Sequence, residues 1–361
     1  MREFLEGSRA VAEVVRLCKP GVISAYPITP QTHIVEELAQ MVADGELSSQ
    51  FVNVESEHSA ASVVLGAVAT GVRAYTATSS QGLLYMAEVI FNIAGMRLPL
   101  VLTCANRAIS APINIWNDQQ DSISLRDAGW IQLYAENNQE VVDFHLMGYR
   151  ISEDKSIMLP VMVCMDGFIL THGMEAIDLP EQEKVDKFLP GYKPLYKLDP
   201  AEPLTMGVLA DPDYYMEARF AIQETLKDVL NFIPKVCEEF RSTFGRDYKG
   251  GLIEEYCTKD ADKVIVAMGS VCGTIKEVVD ALRSKGKKVG LLKVVSYRPF
   301  PYAKVYEALK LIPKVAVLDK AVSLGAQAPL AVEVKAAFSG KKKSPKVISS
   351  FVAGLGGRDI T

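Results

Sequence analysis

The six cysteines of this 361-residue chain, Cys18, Cys104, Cys164, Cys237, Cys257 and Cys272, form no C-x-x-C pair. Gaps this wide exclude the compact zinc and iron–sulfur motifs, so these residues read as small buried hydrophobes. The chain is expected to hold no iron–sulfur cluster and no metal of its own. No stretch approaches the roughly 18 to 20 apolar residues that a membrane span needs. A net charge of −5 gives no general attraction to nucleic acid. The opening residues, MREFLEGSRAVAEVVRLCKP, are interrupted by Arg2, Glu3, Glu6, Arg9 and Glu13, which argues against a signal peptide. Phe4, Val11, Val14, Val15 and Cys18 are expected to share one helix face, and the protein to be cytoplasmic. There is no short-period repeat, no low-complexity tail and no Gly-Asp-Gly diphosphate motif.

What is present is an ordinary globular balance, 49% hydrophobic and 23% charged, enough for two or three cores. From about residue 8 to 175, short apolar runs at 21–26, 73–78, 98–105 and 159–167 alternate with helical stretches such as 32–45 and 81–95. Continuous apolar strands separated by helices predict an α/β protein with a parallel sheet covered on both faces. Residues 176–206, rich in Pro and Lys, predict an extended connection. Beyond them Tyr215, Ile222, Leu226, Val229, Ile233, Val236 and Phe240 recur at helical spacing, predicting a long helix that bends near Pro234 and packs on its own domain or on a partner. A second α/β unit starts near Asp260, with strands at 262–270 and 288–297, a further run at 314–320, and 346–357 closing the chain. The glycines at 354, 356 and 357 precede no helix, so a phosphate loop there is a weak reading.

In a parallel sheet the binding crevice lies at the C-terminal ends of the strands. The run 21–26 ends in Pro-Ile-Thr-Pro, whose two prolines stiffen the backbone around Thr29. The next strand ends introduce VESEHSA (54–60), TSSQG (78–82) and the polar loop 105–121. Polar groups gathered at successive strand ends are what a site requires.

Taken in order, YPITP, VESEHSA, YTATSSQGL, ANRAISAPINIWNDQQD, DGFILTH, RPFP and GLGGRD resemble the alpha chains of pyruvate:ferredoxin oxidoreductases (pyruvate synthases), within the 2-oxoacid:ferredoxin oxidoreductase family. The resemblance covers essentially the whole chain. It implies a thiamine-diphosphate pyrimidine-binding-type domain with its connection and long helix over residues 1–240, then a transketolase C-terminal-like α/β domain over 241–361. It implies a subunit, active only with partner chains, for the reversible coenzyme A-dependent oxidative decarboxylation of pyruvate to acetyl-CoA and CO₂ with reduction of ferredoxin. Beta, gamma and delta subunits are the implied partners. Thiamine diphosphate would be shared with the beta subunit, and Mg²⁺ and the [4Fe–4S] clusters would lie on partners. Alternatives are a branched-chain 2-oxoacid substrate, a non-catalytic assembly subunit, or a transketolase-type enzyme without clusters.

By the same resemblance, Glu57 matches the glutamate at N1′ of the aminopyrimidine, with Glu55 as its rival. Thr29 matches the threonine that hydrogen-bonds the oxoacid, and Arg107 the arginine that pairs with its carboxylate through a planar fork. His58 is expected to face another direction and be structural. Asp118 and Asp121 are expected to be loop contacts rather than metal ligands. Gln31 and His33 depart from the small or apolar residues expected after YPITP.

Overall fold

A computed structural model describes residues 2–361. Its largest element is a seven-stranded sheet ordered Ser296–Arg298, Ile131–Tyr134, Val161–Asp166, Val101–Asn106, Ala74–Thr78, Val22–Ile23, Gln50–Phe51. Every pairing is parallel except the first. The central strands are buried along their whole length, as the unbroken apolar runs dictate, because helices cover both faces. Ile23, Tyr75, Val101, Val161 and Ile131 lie in register across the sheet, a row of fully buried side chains.

The connectivity positions the site. The chain runs from Val22–Ile23 outward to Gln50–Phe51, then returns past it to Ala74–Thr78. The loops leaving Val22–Ile23 and Ala74–Thr78 therefore part in opposite directions. That is the switch point where open α/β sheets bind ligands.

A second sheet, Val347–Val352, Lys314–Asp319, Lys263–Ala267, Val289–Val294, Ile253–Tyr256, is parallel apart from its last strand. The predicted single strand over 288–297 breaks at Val295. There the N–H groups of Val295 and Ser296 both turn to the carbonyl of Leu252. Its continuation, Ser296–Arg298, pairs antiparallel with Ile131–Tyr134 in the first sheet. One stretch of backbone thus serves both sheets.

Three other expectations change. Arg2–Glu6 is a strand paired with Met174–Asp178, leaving Phe4 exposed; the helix begins at Gly7 and is buried almost all round. The 176–206 connection is extended only in part, since it opens with that strand and then the helix Gln182–Phe188. The long helix Pro212–Phe244 carries Pro234 inside it, and Ile222, Val229, Ile233, Val236 and Phe240 are buried. Its first turns leave Tyr214, Tyr215, Met216 and Phe220 exposed, so Tyr215 does not belong to the packed stripe.

Two buried charge networks close the seam between the sheets. Lys293 is 1% exposed and its ammonium meets Glu136 (2.7 Å), Glu140 and Glu254 (3.2 Å); Lys276 bonds Glu136 and Glu254 as well. At the second, Asp166 ends its strand and accepts from Nζ of Lys320 at 2.9 Å, from Nε2 of Gln119 and from the backbone N–H and hydroxyl of Ser270. Burial alone would raise the Asp166 carboxyl. The charge of Lys320 and the hydroxyl of Ser270 outweigh it and hold the group below the usual carboxylate range.

Removing one partner of a buried pair leaves an uncompensated charge, at a cost of about 3–5 kcal/mol. Lys320→Met should lower stability by an amount of that order, read from the shift in urea midpoint. Because the folded-state affinity of Asp166 for a proton is depressed, its contribution is present above pH ~4 and is lost as pH falls below that. Unfolding curves of Asp166→Asn should accordingly lack the part of the acid sensitivity that the parent shows in this window.

Candidate active site

Five strand ends of the first sheet converge. Gln50–Phe51 leads to the helix Glu57–Ala69, Val22–Ile23 to the Thr29 turn, Ala74–Thr78 to residues 79–82, Val101–Asn106 to Arg107, and Val161–Asp166 ends on Asp166 itself. Asn106 and Asp166 are register partners, so the last two ends lie side by side.

Glu57 is the first residue of its helix, capped by Ser56, whose hydroxyl accepts the N–H of Ser59. That is the end where the helix dipole favours a carboxylate. Glu57 is 9% exposed and its carboxyl takes no hydrogen bond from any described residue. Glu55 differs in both respects. It is exposed and held by the hydroxyl of Ser59, which lowers its pKa. His58 points toward Tyr85 and Glu88, away from this cluster.

Gly82 stands against Glu57. A Cβ there would lie 2.7 Å from Oε1 of Glu57 and 2.5 Å from Oγ1 of Thr78. The Thr78 hydroxyl is itself buried and without a partner among the described residues. Just before Gly82, Ser80 is held at φ +49°, in the left-handed region. Such a conformation costs a non-glycine residue about 1–3 kcal/mol and concentrates at working sites. Here it is fixed by a hydrogen bond from Ser80 N–H to Asp121 and by the Ser80 hydroxyl donating to the Ala108 carbonyl.

Asp121 organises this corner. Fully buried, it accepts from the N–H groups of Ser80, Arg107 and Ser122 and from the Asn106 amide. Burial, only partly offset by these donors, pushes its carboxyl up to about 6. Asp118 accepts from Gln120 and from the N–H of Gly356, and burial raises it too. Both aspartates order loops. Gln31, fully buried, ties the Thr29 turn to the Ala77 carbonyl at 2.7 Å.

Arg107 and Thr29 meet. Nη1 of Arg107 donates to the Thr29 carbonyl at 2.9 Å and Nε to the Asn114 carbonyl at 3.0 Å. Arg107 is 7% exposed as a residue; its guanidinium has no carboxylate ion pair among the described residues, and Nη2 donates to none of them. Burial lowers its pKa, and the nearby Asp121 charge only partly counters this. The Thr29–Pro30 peptide is cis, and Thr29 is exposed with its hydroxyl unbonded by any described residue. No hydrogen bond joins Arg107 to Glu57; the residue 79–82 turn and Asp121 lie between.

The C-terminal GLGGRD segment serves this loop rather than a phosphate. Gly356 and Gly357 have positive φ, and a Cβ on Gly356 would stand 2.5 Å from the Asn114 amide. Their N–H groups bond Asp118 and the Asn117 carbonyl. Sequence reasoning missed Ser80, Gly82, Asp166 and Lys320. The SSQG run directly after a buried strand was a signal for the first two; no local pattern announces the others.

A parallel sheet with a glutamate at a helix N-terminus in its crevice, an arginine without an acidic partner among the described residues beside a Pro-Ile-Thr-Pro turn, and a second α/β unit behind them fit the architecture of a thiamine-diphosphate-binding 2-oxoacid oxidoreductase chain. Comparison makes this particular. The family model described as "Pyruvate flavodoxin/ferredoxin oxidoreductase, thiamine diP-bdg" matches residues 13–238, and "Pyruvate:ferredoxin oxidoreductase core domain II" matches 261–361. The chain belongs to the pyruvate:ferredoxin oxidoreductase family. It is 52% identical to pyruvate synthase subunit PorA of Methanothermobacter thermautotrophicus, covering 99% of this chain and 92% of that one. It is 48% identical to PorA of Pyrococcus furiosus, over 100% and 91%. Ketoisovalerate oxidoreductase subunit VorA of Pyrococcus horikoshii is 44% identical, over 100% and 91%. Among solved structures, a 2-oxoglutarate:ferredoxin oxidoreductase of Magnetococcus marinus superposes with a TM-score of 0.73 at 20% identity, over 98% of this chain and 63% of that chain. A split-gene transketolase superposes with a TM-score of 0.56 at 12% identity, over 98% and 88%. These two speak for the fold alone.

Gly82→Ala should displace the Glu57 carboxylate while leaving the sheet intact. The expected outcome, in the assembled enzyme, is a fall in kcat of at least about tenfold with an unchanged circular dichroism spectrum, since small misplacements of a reacting group are costly. Unchanged turnover would mean that Glu57 can shift without consequence.

Proposed function

We propose that this chain is the alpha subunit of a pyruvate:ferredoxin oxidoreductase, working with beta, gamma and delta chains. Together they convert pyruvate and coenzyme A to acetyl-CoA and CO₂ and pass the electrons to ferredoxin, reversibly. Residues 1–240 form the pyrimidine-binding unit and 241–361 the transketolase C-terminal-like unit. The observation that carries the reading is Arg107. A guanidinium on a largely buried residue, anchored by two carbonyls and with no acidic partner among the described residues, presents its remaining nitrogen to an anion. An arginine fork recognises a planar carboxylate better than a point charge does. Pyruvate-named relatives at 47% to 52% identity, against 44% for the ketoisovalerate relative, favour pyruvate as the 2-oxoacid.

The residues present suit thiamine diphosphate. Glu57 has a free carboxyl, Gly82 leaves the space a Cβ would fill, and the Thr78 hydroxyl beside it lacks a partner among the described residues. Thiamine diphosphate, when bound, supplies the carbon nucleophile and the electron sink for decarboxylation. Glu57 holds the proton at N1′ of its aminopyrimidine. Thr29 orients the 2-oxoacid with its hydroxyl, and Arg107 takes the carboxylate. The Asp121 network keeps the Arg107 backbone and the Ser80 turn fixed during turnover. The diphosphate and its Mg²⁺, with the [4Fe–4S] clusters, belong to partner chains.

The chain alone should bind thiamine diphosphate weakly. Tight binding by calorimetry without partners would oppose a shared site. In the complex, Glu57→Gln should keep assembly and lower turnover by about 10² to 10⁴, the usual worth of a general acid–base group. Exchange of the thiazolium proton followed by NMR reports the lesion directly, and an undiminished rate would pass the role to Glu55.

A charged hydrogen bond is worth about 1.5–3 kcal/mol and a neutral one about 1 kcal/mol. Arg107→Met should therefore cost more in kcat/KM for pyruvate than Thr29→Val, which retains the backbone carbonyl that Arg107 uses. Arg107→Lys should recover only part. If Arg107→Met changes kcat/KM by less than about threefold, below 1 kcal/mol, the carboxylate is bound elsewhere.

A further inference from the structure

We propose that Glu6, His33 and His172 bind a transition-metal dication, with zinc(II) as the best match to the donors. The three come from separate segments. Glu6 ends the first strand, His33 is the second residue of the helix Thr32–Ala43 that follows the Thr29 turn, and His172 lies between the strands Val161–Asp166 and Met174–Asp178. The antiparallel register sets Glu6 opposite Met174, two residues from His172. One donor atom from each of the three falls within 4.8 Å of the others. A tetrahedral zinc with N and O ligands at ~2.0–2.2 Å places its donors about 3.4 Å apart.

The surroundings resemble an outer coordination shell. The Nδ1 of His172 is hydrogen-bonded to the Thr171 hydroxyl at 2.7 Å, which leaves Nε2 for the ion. That hydroxyl also accepts the N–H of Phe168 at 2.8 Å, and the Phe168 ring lies 4.8 Å from the His172 ring. A partner on the distal ring nitrogen fixes tautomer and orientation, as metal-binding histidines require. His33 holds Glu6 through Nδ1 at 2.8 Å; the ion replaces the proton shared there and releases it to solvent. His33 is 47% exposed at its side chain, so the ion has an entry path, and a water completes the fourth position. Neither histidine has a part in the proposed chemistry. The acidic trio Glu136, Glu140 and Glu254 is already bridged by the ammonium groups of Lys293 and Lys276.

The test is calorimetric titration of ZnCl₂ into the full chain carrying Cys257→Ser, which removes the exposed thiol that would compete. One ion should bind per chain, with a matching rise in melting temperature. His33→Gln combined with His172→Gln should weaken binding by at least about 100-fold and abolish the melting shift, and Glu6→Gln should weaken it by about tenfold. Melting without metal serves as the folding control. If the double variant is less stable there, His33→Gln alone is read, its side chain being half in solvent. Absence of 1:1 binding in the parent, or equal affinity in a folded variant, overturns the site.

Discussion

The ion pair between Asp166 and Lys320 is the constraint on which the site depends. A charge at the end of a buried strand must be compensated, and the compensating ammonium comes from the far sheet, immediately after Lys314–Asp319. Meeting that requirement brings the second unit over the C-terminal edge of the first. Gln119 joins the pair and its N–H bonds the Lys320 carbonyl, so the 105–121 loop is drawn to the same point. Arg107 and Asp121 ride on that loop.

The second unit also closes the loop from outside. Asn114, Asn117 and Asp118 receive the Gly356 and Gly357 turn, whose lack of side chains allows backbone contact. The distant motifs DGFILTH, NIWND and GLGGRD therefore meet in space, through the Trp116 and Phe168 rings on one side and the Gly356 backbone on the other.

Much of the first sheet was legible because unbroken apolar runs can only be strands buried on both faces, as at Val101–Asn106 and Val161–Asp166. The resemblance assigned Thr29 and Arg107 each to the substrate; that Arg107 bonds the Thr29 carbonyl was not foreseen, since no pattern encodes a backbone acceptor. Phe4 was misplaced on a helix because five residues of strand beside an amphipathic helix share its apolar spacing, and only the partner strand Met174–Asp178 decides the matter. The break at Val295 was invisible for a related reason. A run of β-formers does not reveal that its two halves pair with different sheets. Asp166, Lys320, Ser80 and Gly82 act through long-range or close contacts that composition does not carry.

The strand Ser296–Arg298 has a further consequence. It supplies the outer edge of a sheet otherwise made from residues 22–166, shielding the backbone N–H and C=O groups of Ile131–Tyr134. Cutting the chain at the end of the long helix would separate two sequence units yet unzip that edge, leaving a largely apolar strand free to pair with another molecule. The two units are thus tied by a shared border, and solubility of the first is a property that the second confers.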